Sequence, residues 1–161
     1  MKGSKESKKF SVTDLLLFIV SAQLAGTVSA LVSGGFSGFY EKLARPPLSP
    51  PAWVFPVVWT ILYTLMGISA YMVYSSGDGD KGRALTVYWV QLGVNFCWSI
   101  VFFRFMLLNG AVAVIIALLI LIAVMIKIFR EIRPAAGYIN IPYFVWTAFA
   151  AYLCIAVAIL N

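Results

Sequence analysis

Five apolar runs, each about as long as the ~20 residues of helix that a bilayer core requires, take up most of this chain. They lie near residues 12–32, 52–74, 84–103, 108–129 and 139–160. Backbone N–H and C=O groups in hydrocarbon have no water to bond, so each run must satisfy its own backbone, and an α-helix does this. Composition points the same way. Of 161 residues, 62% are hydrophobic and only 11% charged, whereas a soluble domain carries roughly 25% charge. The expected fold class is an all-α membrane protein, a bundle of five transmembrane helices, with residues 1–161 forming one domain and residues 33–50 the one long connection.

The net charge of +6 does not indicate nucleic-acid binding, because its distribution is that of a membrane protein. Lys2, Lys5, Lys8 and Lys9 crowd the N-terminus, Lys81 and Arg83 follow the second run, and Lys127, Arg130 and Arg133 follow the fourth. These nine fall on one side of a five-span map, and Lys42, Arg45 and Arg104 fall on the other. The excess of basic residues marks the cytoplasmic face. The expectation is a multi-pass protein of a bacterial cell membrane with a cytoplasmic N-terminus. The first run also has features of a signal peptide, with Val28-Ser29-Ala30 as a small-residue cleavage site. Leu31-Val32 prolongs it, however, and the Ala22, Gly26, Ala30 spacing suits close helix packing.

There is no histidine. This removes Ser-His-Asp and Cys-His nucleophilic sites and the commonest metal and haem ligand. Cys97 and Cys154 sit singly inside apolar runs and read as small hydrophobes, so no metal site is expected.

Polar and aromatic residues inside the runs carry the functional signal. Gln91, Asn95 and Trp98 fall at i, i+4 and i+7 on one helix face. Interhelical hydrogen bonding and ligand anchoring account for this stripe equally well. Trp59, Tyr63 and Met66 repeat the spacing in the second run, as do Tyr143, Trp146 and Ala150 in the fifth. Trp53, Trp89 and Tyr143 lie near run ends and read as an interfacial belt, while Trp59, Trp98 and Trp146 lie deeper. Pro51 is placed to start the second helix and Pro56, about a turn and a half later, to kink it. Residues 130–138 read as a helix stop followed by a loop. Residues 33–50, with Gly34, Gly35 and Gly38 for sharp turns and Pro46, Pro47 and Pro50 to stiffen the return, read as a lid over a cavity.

The run FYEKLARPPLSPPAWVFPVVWTILYTLMGISAYMV (39–73) resembles the signature of the tryptophan-rich sensory protein or translocator protein (TspO/MBR, peripheral-type benzodiazepine receptor) family. QLGVNFCWSIVFF (91–103) and PYFVWTAFAAYL (142–153) are similar to its third- and fifth-helix motifs. The resemblance implies a five-helix bundle, commonly a homodimer, whose cavity binds porphyrins such as protoporphyrin IX. Synthetic isoquinoline carboxamides are ligands as well, and animal members bind cholesterol. Some bacterial members are reported to degrade protoporphyrin in light.

Carried over by motif, the ligand-binding residues are Tyr40, Trp59, Tyr63, Gln91, Asn95, Trp98, Trp146 and Ala150. Trp59 and Trp146 are the candidate photochemical residues. Cys154 departs from the family's usual asparagine. The chain given ends at Asn161, before the basic residue of the animal cholesterol motif, so cholesterol is not the expected ligand.

A pocket for a flat, apolar molecule needs aromatic walls and a few polar anchors, which these residues supply. The expected function is a tetrapyrrole receptor or sensor needing no cofactor, with protoporphyrin IX as ligand or substrate. Light-dependent degradation of that ligand, passive porphyrin transport and scaffolding of partner proteins are the alternatives. Ion-coupled transport is disfavoured, because the run interiors carry no charge.

Overall fold

The computed structural model describes residues 9–34 and 42–161. Among these, five helical segments are long and apolar enough to cross a membrane. Helix α1 covers Val12–Val32, α2 Val54–Tyr74 and α3 Lys81–Ser99, which runs on into a π-helical turn, Ile100–Arg104. Helix α4 covers Leu108–Ile132, α5 is the single turn Pro134–Tyr138, and α6 covers Ile141–Leu160.

Local chemistry sets these ends. Ser11 caps α1 by accepting from the Asp14 N–H at 3.2 Å, and Asp14 itself lies in the first turn, where the helix dipole favours an anion. At the other end Gly34, at φ +86°, supplies the left-handed residue that stops the helix.

Two sequence expectations are corrected here. Helix α2 begins at Val54, not at Pro51, whose carbonyl instead accepts from Val54 N–H at 3.0 Å in the preceding turn. Pro56 is therefore the third residue of the helix. A missing N–H in the first turn breaks no intrahelical bond, so proline there does not force a kink. The stop after α4 is followed by the helical turn α5 rather than a loop. Pro134 drives the preceding Arg133 into extended backbone (φ −146°, ψ 107°) and then starts a new helix as its first residue.

Packing inverts the soluble pattern. Leu17, Val20, Leu24, Val28 and Leu31 form an exposed apolar stripe along α1, and Ile116, Ile120 and Val124 form one on α4. The interior has two layers. One is built from Trp59, Tyr63, Met66, Tyr88, Phe129 and Tyr143 with their aliphatic neighbours. The other is built from Trp98, Phe102, Phe103, Ile115, Ala150, Cys154 and Val157. Phe55 packs against both. No Asp, Glu, Lys or Arg is buried among the described residues.

Small residues let α1 and α2 touch, as the α1 spacing leads one to expect. Ala22 is fully buried, and a Cβ added to Gly26 would overlap the Tyr63 ring. On α2, a Cβ at Gly67 would lie 2.6 Å from Ile19 Cα, which is main chain and has no rotamer to retreat into. Gly67→Ala is expected to lower stability by about 1–3 kcal/mol, the cost of overpacking. Gly93→Ala, whose Cβ would meet nothing within 4 Å, is the control and should be neutral or mildly stabilising. Thermal unfolding in detergent, followed by circular dichroism, checks both.

Candidate functional site

The third-span stripe folds inward. Gln91 is fully buried and Asn95 and Trp98 nearly so. The amides face α6, where Tyr143 meets both: its hydroxyl donates to Gln91 Oε1 at 2.8 Å and accepts from Asn95 Nδ2 at 3.0 Å. Gln91 Nε2 points at the Met66 sulfur, 3.6 Å away, and the Tyr63 hydroxyl faces the same Asn95 carboxamide. The interhelical reading of this stripe thus has direct geometric support. Tyr143 is fully buried and not part of an interfacial belt, unlike the exposed Trp53 and Trp89. Its place near the run's start misled the sequence reading, because α5 and Asn140 add a turn of buried structure before α6.

Above this polar triad lies Trp59. Its ring meets the edge of Tyr143 at 6.1 Å and lies tilted against Tyr63 at 5.6 Å. On one side of Trp59 is an apolar cavity of about 30 Å³, walled by Phe55, Trp98, Phe102, Phe103, Ala150 and Cys154 among others. Its rings are packed on one another: Trp98 stacks on Phe102 at 5.5 Å and 26°, and Phe103 stands edge-on to both. The π-turn makes this possible. Its i→i+5 bond, Phe105 N–H to Ile100 O at 3.0 Å, widens the helix and goes with adjacent Phe102 and Phe103 both being buried. Such turns gather at functional sites. On the other side of Trp59 is a more polar space of about 220 Å³ between α1, α2 and the end of α3, where Tyr63 also contributes.

The structure therefore brings Trp59, Trp98 and Ala150 to one cavity and Trp59 with Tyr63 to the second. Trp146 lines neither; it stands edge-on to Phe55 at 6.0 Å, one ring behind the apolar wall. Gln91 and Asn95 sit behind Trp59, through Tyr143. Tyr40 lies outside the described residues. Trp146 holds a buried indole N–H without a partner among the described residues, and a buried donor left unpaired is costly, while Trp98 faces the Cys154 thiol.

The described part of the long connection, residues 42–50, lies over the end of the bundle that holds the apolar cavity. Leu43 packs on the second core layer. Asn161 grips the main chain of Ala44 twice, accepting from its N–H at 3.0 Å and donating to its carbonyl at 3.1 Å, while Tyr152 donates to Pro47 O at 3.1 Å. Residues 44 and 47 of the segment expected to form a lid are thus fastened, through residues that carried no sequence signal for it, while residues 35–41 lie outside the described residues. Leu48, at φ +70°, holds left-handed backbone that disfavours a branched side chain.

The sequence model of the TspO/MBR family matches residues 16–160 of this chain. The tryptophan-rich protein TspO of Archaeoglobus fulgidus is 31% identical over 150 residues, covering 86% of this chain and 97% of the relative. Protein CrtK of Rhodobacter capsulatus is 32% identical over 153 residues, 94% of each chain. The translocator protein of Ovis aries is 30% identical over 133 residues, covering 74% of this chain and 79% of the relative.

The buried triad yields a stability prediction. Tyr143→Phe keeps the ring but strands Gln91 Oε1 and Asn95 Nδ2, and should cost about 1–2 kcal/mol, between the soluble and the bilayer scale for such losses. In that background Gln91→Leu should cost less than it does in the wild type, because its partner is already gone. A double-mutant cycle measured by reversible unfolding in mixed micelles would expose additive costs if the bond carried no energy.

Proposed function

Because the chain belongs to the TspO/MBR family, we propose that this integral, multi-pass membrane protein is a receptor for a flat, apolar tetrapyrrole such as protoporphyrin IX. The observation that carries this reading is the aromatic cavity between Trp59, Trp98 and Ala150. Its volume of about 30 Å³ is far below the roughly 300–1,000 Å³ of a ligand pocket. Binding therefore means parting rings that now stack on each other, above all Trp98 from Phe102, and giving each a face of the ligand in exchange. A planar molecule suits that exchange.

The polar edge of the ligand then meets the buried indole N–H of Trp98, which lines the cavity. Gln91 and Asn95 act at one remove, by fixing Tyr143 and through it Trp59. No histidine is available as an axial ligand, which favours the metal-free macrocycle over haem. The receptor sits in a bacterial cell membrane with its N-terminus in the cytoplasm, following the basic asymmetry, and acts as a homodimer.

A second reading, light-driven destruction of the bound porphyrin, is favoured by one observation: Trp59 is an oxidisable ring in the wall of both cavities. The photochemistry would belong to the ligand and the positioning to the protein. Trp146, behind Phe55, is the less direct partner in it.

Titration with protoporphyrin IX in the dark and in light separates the two readings. Saturable tryptophan quenching in the dark is the expected result, and its absence would remove the receptor. Trp59→Phe and Trp146→Phe keep an aromatic face and should weaken dark binding by only about 0.5–1.5 kcal/mol. If an indole is consumed in photo-oxidation, light-dependent loss of the Soret band should collapse in Trp59→Phe while dark binding survives. Gln91→Leu should weaken dark binding without selectively removing the photochemistry. Bleaching at the wild-type rate in both tryptophan variants would leave the receptor alone standing.

A further inference from the structure

Among the described residues, Trp59 alone is shared by the linings of the apolar cavity and the polar space between α1, α2 and α3. We propose that this second space is a lateral portal through which the ligand passes between the bilayer and the cavity, with the Trp59 ring as its gate. The inference rests on the receptor reading above.

Three observations carry it. First, the space opens outward: Thr27 and Thr60, from opposite walls, are exposed on helices that read as membrane spans. Its volume of about 220 Å³ contrasts with about 30 Å³ beyond the gate.

Second, its walls hold polar atoms that hydrocarbon does not satisfy. Gln23, midway along α1, donates through Nε2 to Thr60 O at 2.8 Å and to Thr64 Oγ1 at 2.9 Å. Among the described residues its Oε1 accepts nothing, and the hydroxyls of Thr27 and Ser99 make no hydrogen bond. Unpaired polar groups at this depth are expensive and mark pathways for polar passengers. The edge of a tetrapyrrole, with its N–H and carboxyl groups, is such a passenger, and its apolar faces remain compatible with the surrounding lipid.

Third, the alternative route is fastened. Entry beneath the described part of the loop, residues 42–50, requires breaking both Asn161–Ala44 bonds and the Tyr152–Pro47 bond and withdrawing Leu43 from the core. Entry from the side requires the displacement of one ring, whose indole is held by ring contacts with Tyr63 and Tyr143.

A plug in a passage raises one barrier from both sides. It slows entry and exit equally and leaves the equilibrium alone. Thr27→Phe and Thr60→Phe fill the space from opposite walls, and stopped-flow quenching with protoporphyrin IX, in protein reconstituted in lipid nanodiscs, reads both rates. The expected result is that association and dissociation each slow by about tenfold, within the one to three decades over which rates vary among variants of one site, while Kd stays unchanged. Thr27→Val and Thr60→Val, of the same size as the native residues, should keep wild-type rates, and Asn161→Ala, which frees the loop, should not accelerate exchange.

Wild-type rates in both phenylalanine variants, or faster exchange in Asn161→Ala, would overturn the portal and put the route under the loop. A weaker Kd at an unchanged association rate would overturn it too, making the space part of the seat. If the wild type shows no saturable quenching, the receptor reading fails, and a porphyrin-free measurement decides the portal. In a variant with Trp53, Trp89, Trp98 and Trp146 replaced by phenylalanine, lipids brominated at mid-chain should quench Trp59 strongly, and adding Thr60→Phe should remove most of that quenching. Equal quenching with and without Thr60→Phe would show that the space does not open to lipid.

Discussion

One hydroxyl organises the interior of this bundle. Tyr143 donates to Gln91 and accepts from Asn95, so two amides that hydrocarbon cannot solvate are paired through a single oxygen from the facing helix. In water such a bond would contribute little, because solvent would replace it. Here the competing state is an unpaired amide in a medium without donors, so the arrangement ties α3 to α6 across the interior of the bundle. The Tyr143 ring edge then sets where Trp59 lies. The place of the ring between the two spaces depends on that contact.

The fold was legible because bilayer physics leaves so few options. An apolar run of sufficient length in lipid has to be a helix, and all five runs became one. Errors came where backbone chemistry acts within a turn or two. In the proline block of residues 46–56, Pro51 suits a helix start, but periodicity cannot fix the first residue; the turn closed by Pro51 O places the start at Val54. Pro134 was recognised as a stop, but a proline that ends one helix is as well suited to begin another, and it does both.

The site was legible by residue type more than by role. The deep tryptophans and the Gln91–Asn95–Trp98 stripe stood out because such residues are unusual in a span. Spacing along one helix says which side chains share a face, and does not say what that face meets. Hence Tyr143 was read as an interfacial ring, and the amides as equally suited to a ligand or to a neighbouring helix. The π-turn left no mark in the sequence, since IVFFR is an unexceptional apolar segment before a charge. The fastening of the loop by Asn161 and Tyr152 was equally hidden, because it depends on residues more than a hundred positions apart.

A closed aromatic cavity also bears on selectivity. Interiors packed to crystal-like density resist expansion, so a bulky ligand must push helices apart along most of its perimeter. A flat one needs only to part a stacked pair. Separating Trp98 from Phe102 forfeits one aromatic contact, a loss of about 0.5–1.5 kcal/mol, and the inserted ring system offers a face to each partner in return. The balance is favourable only when the ligand is planar and wide enough to cover both rings, and it worsens with every atom out of plane. Ala150 and Cys154, small side chains on the opposite wall, leave the other edge of such a ligand unobstructed. The cavity is thus shaped against thick solutes before any specific contact is made.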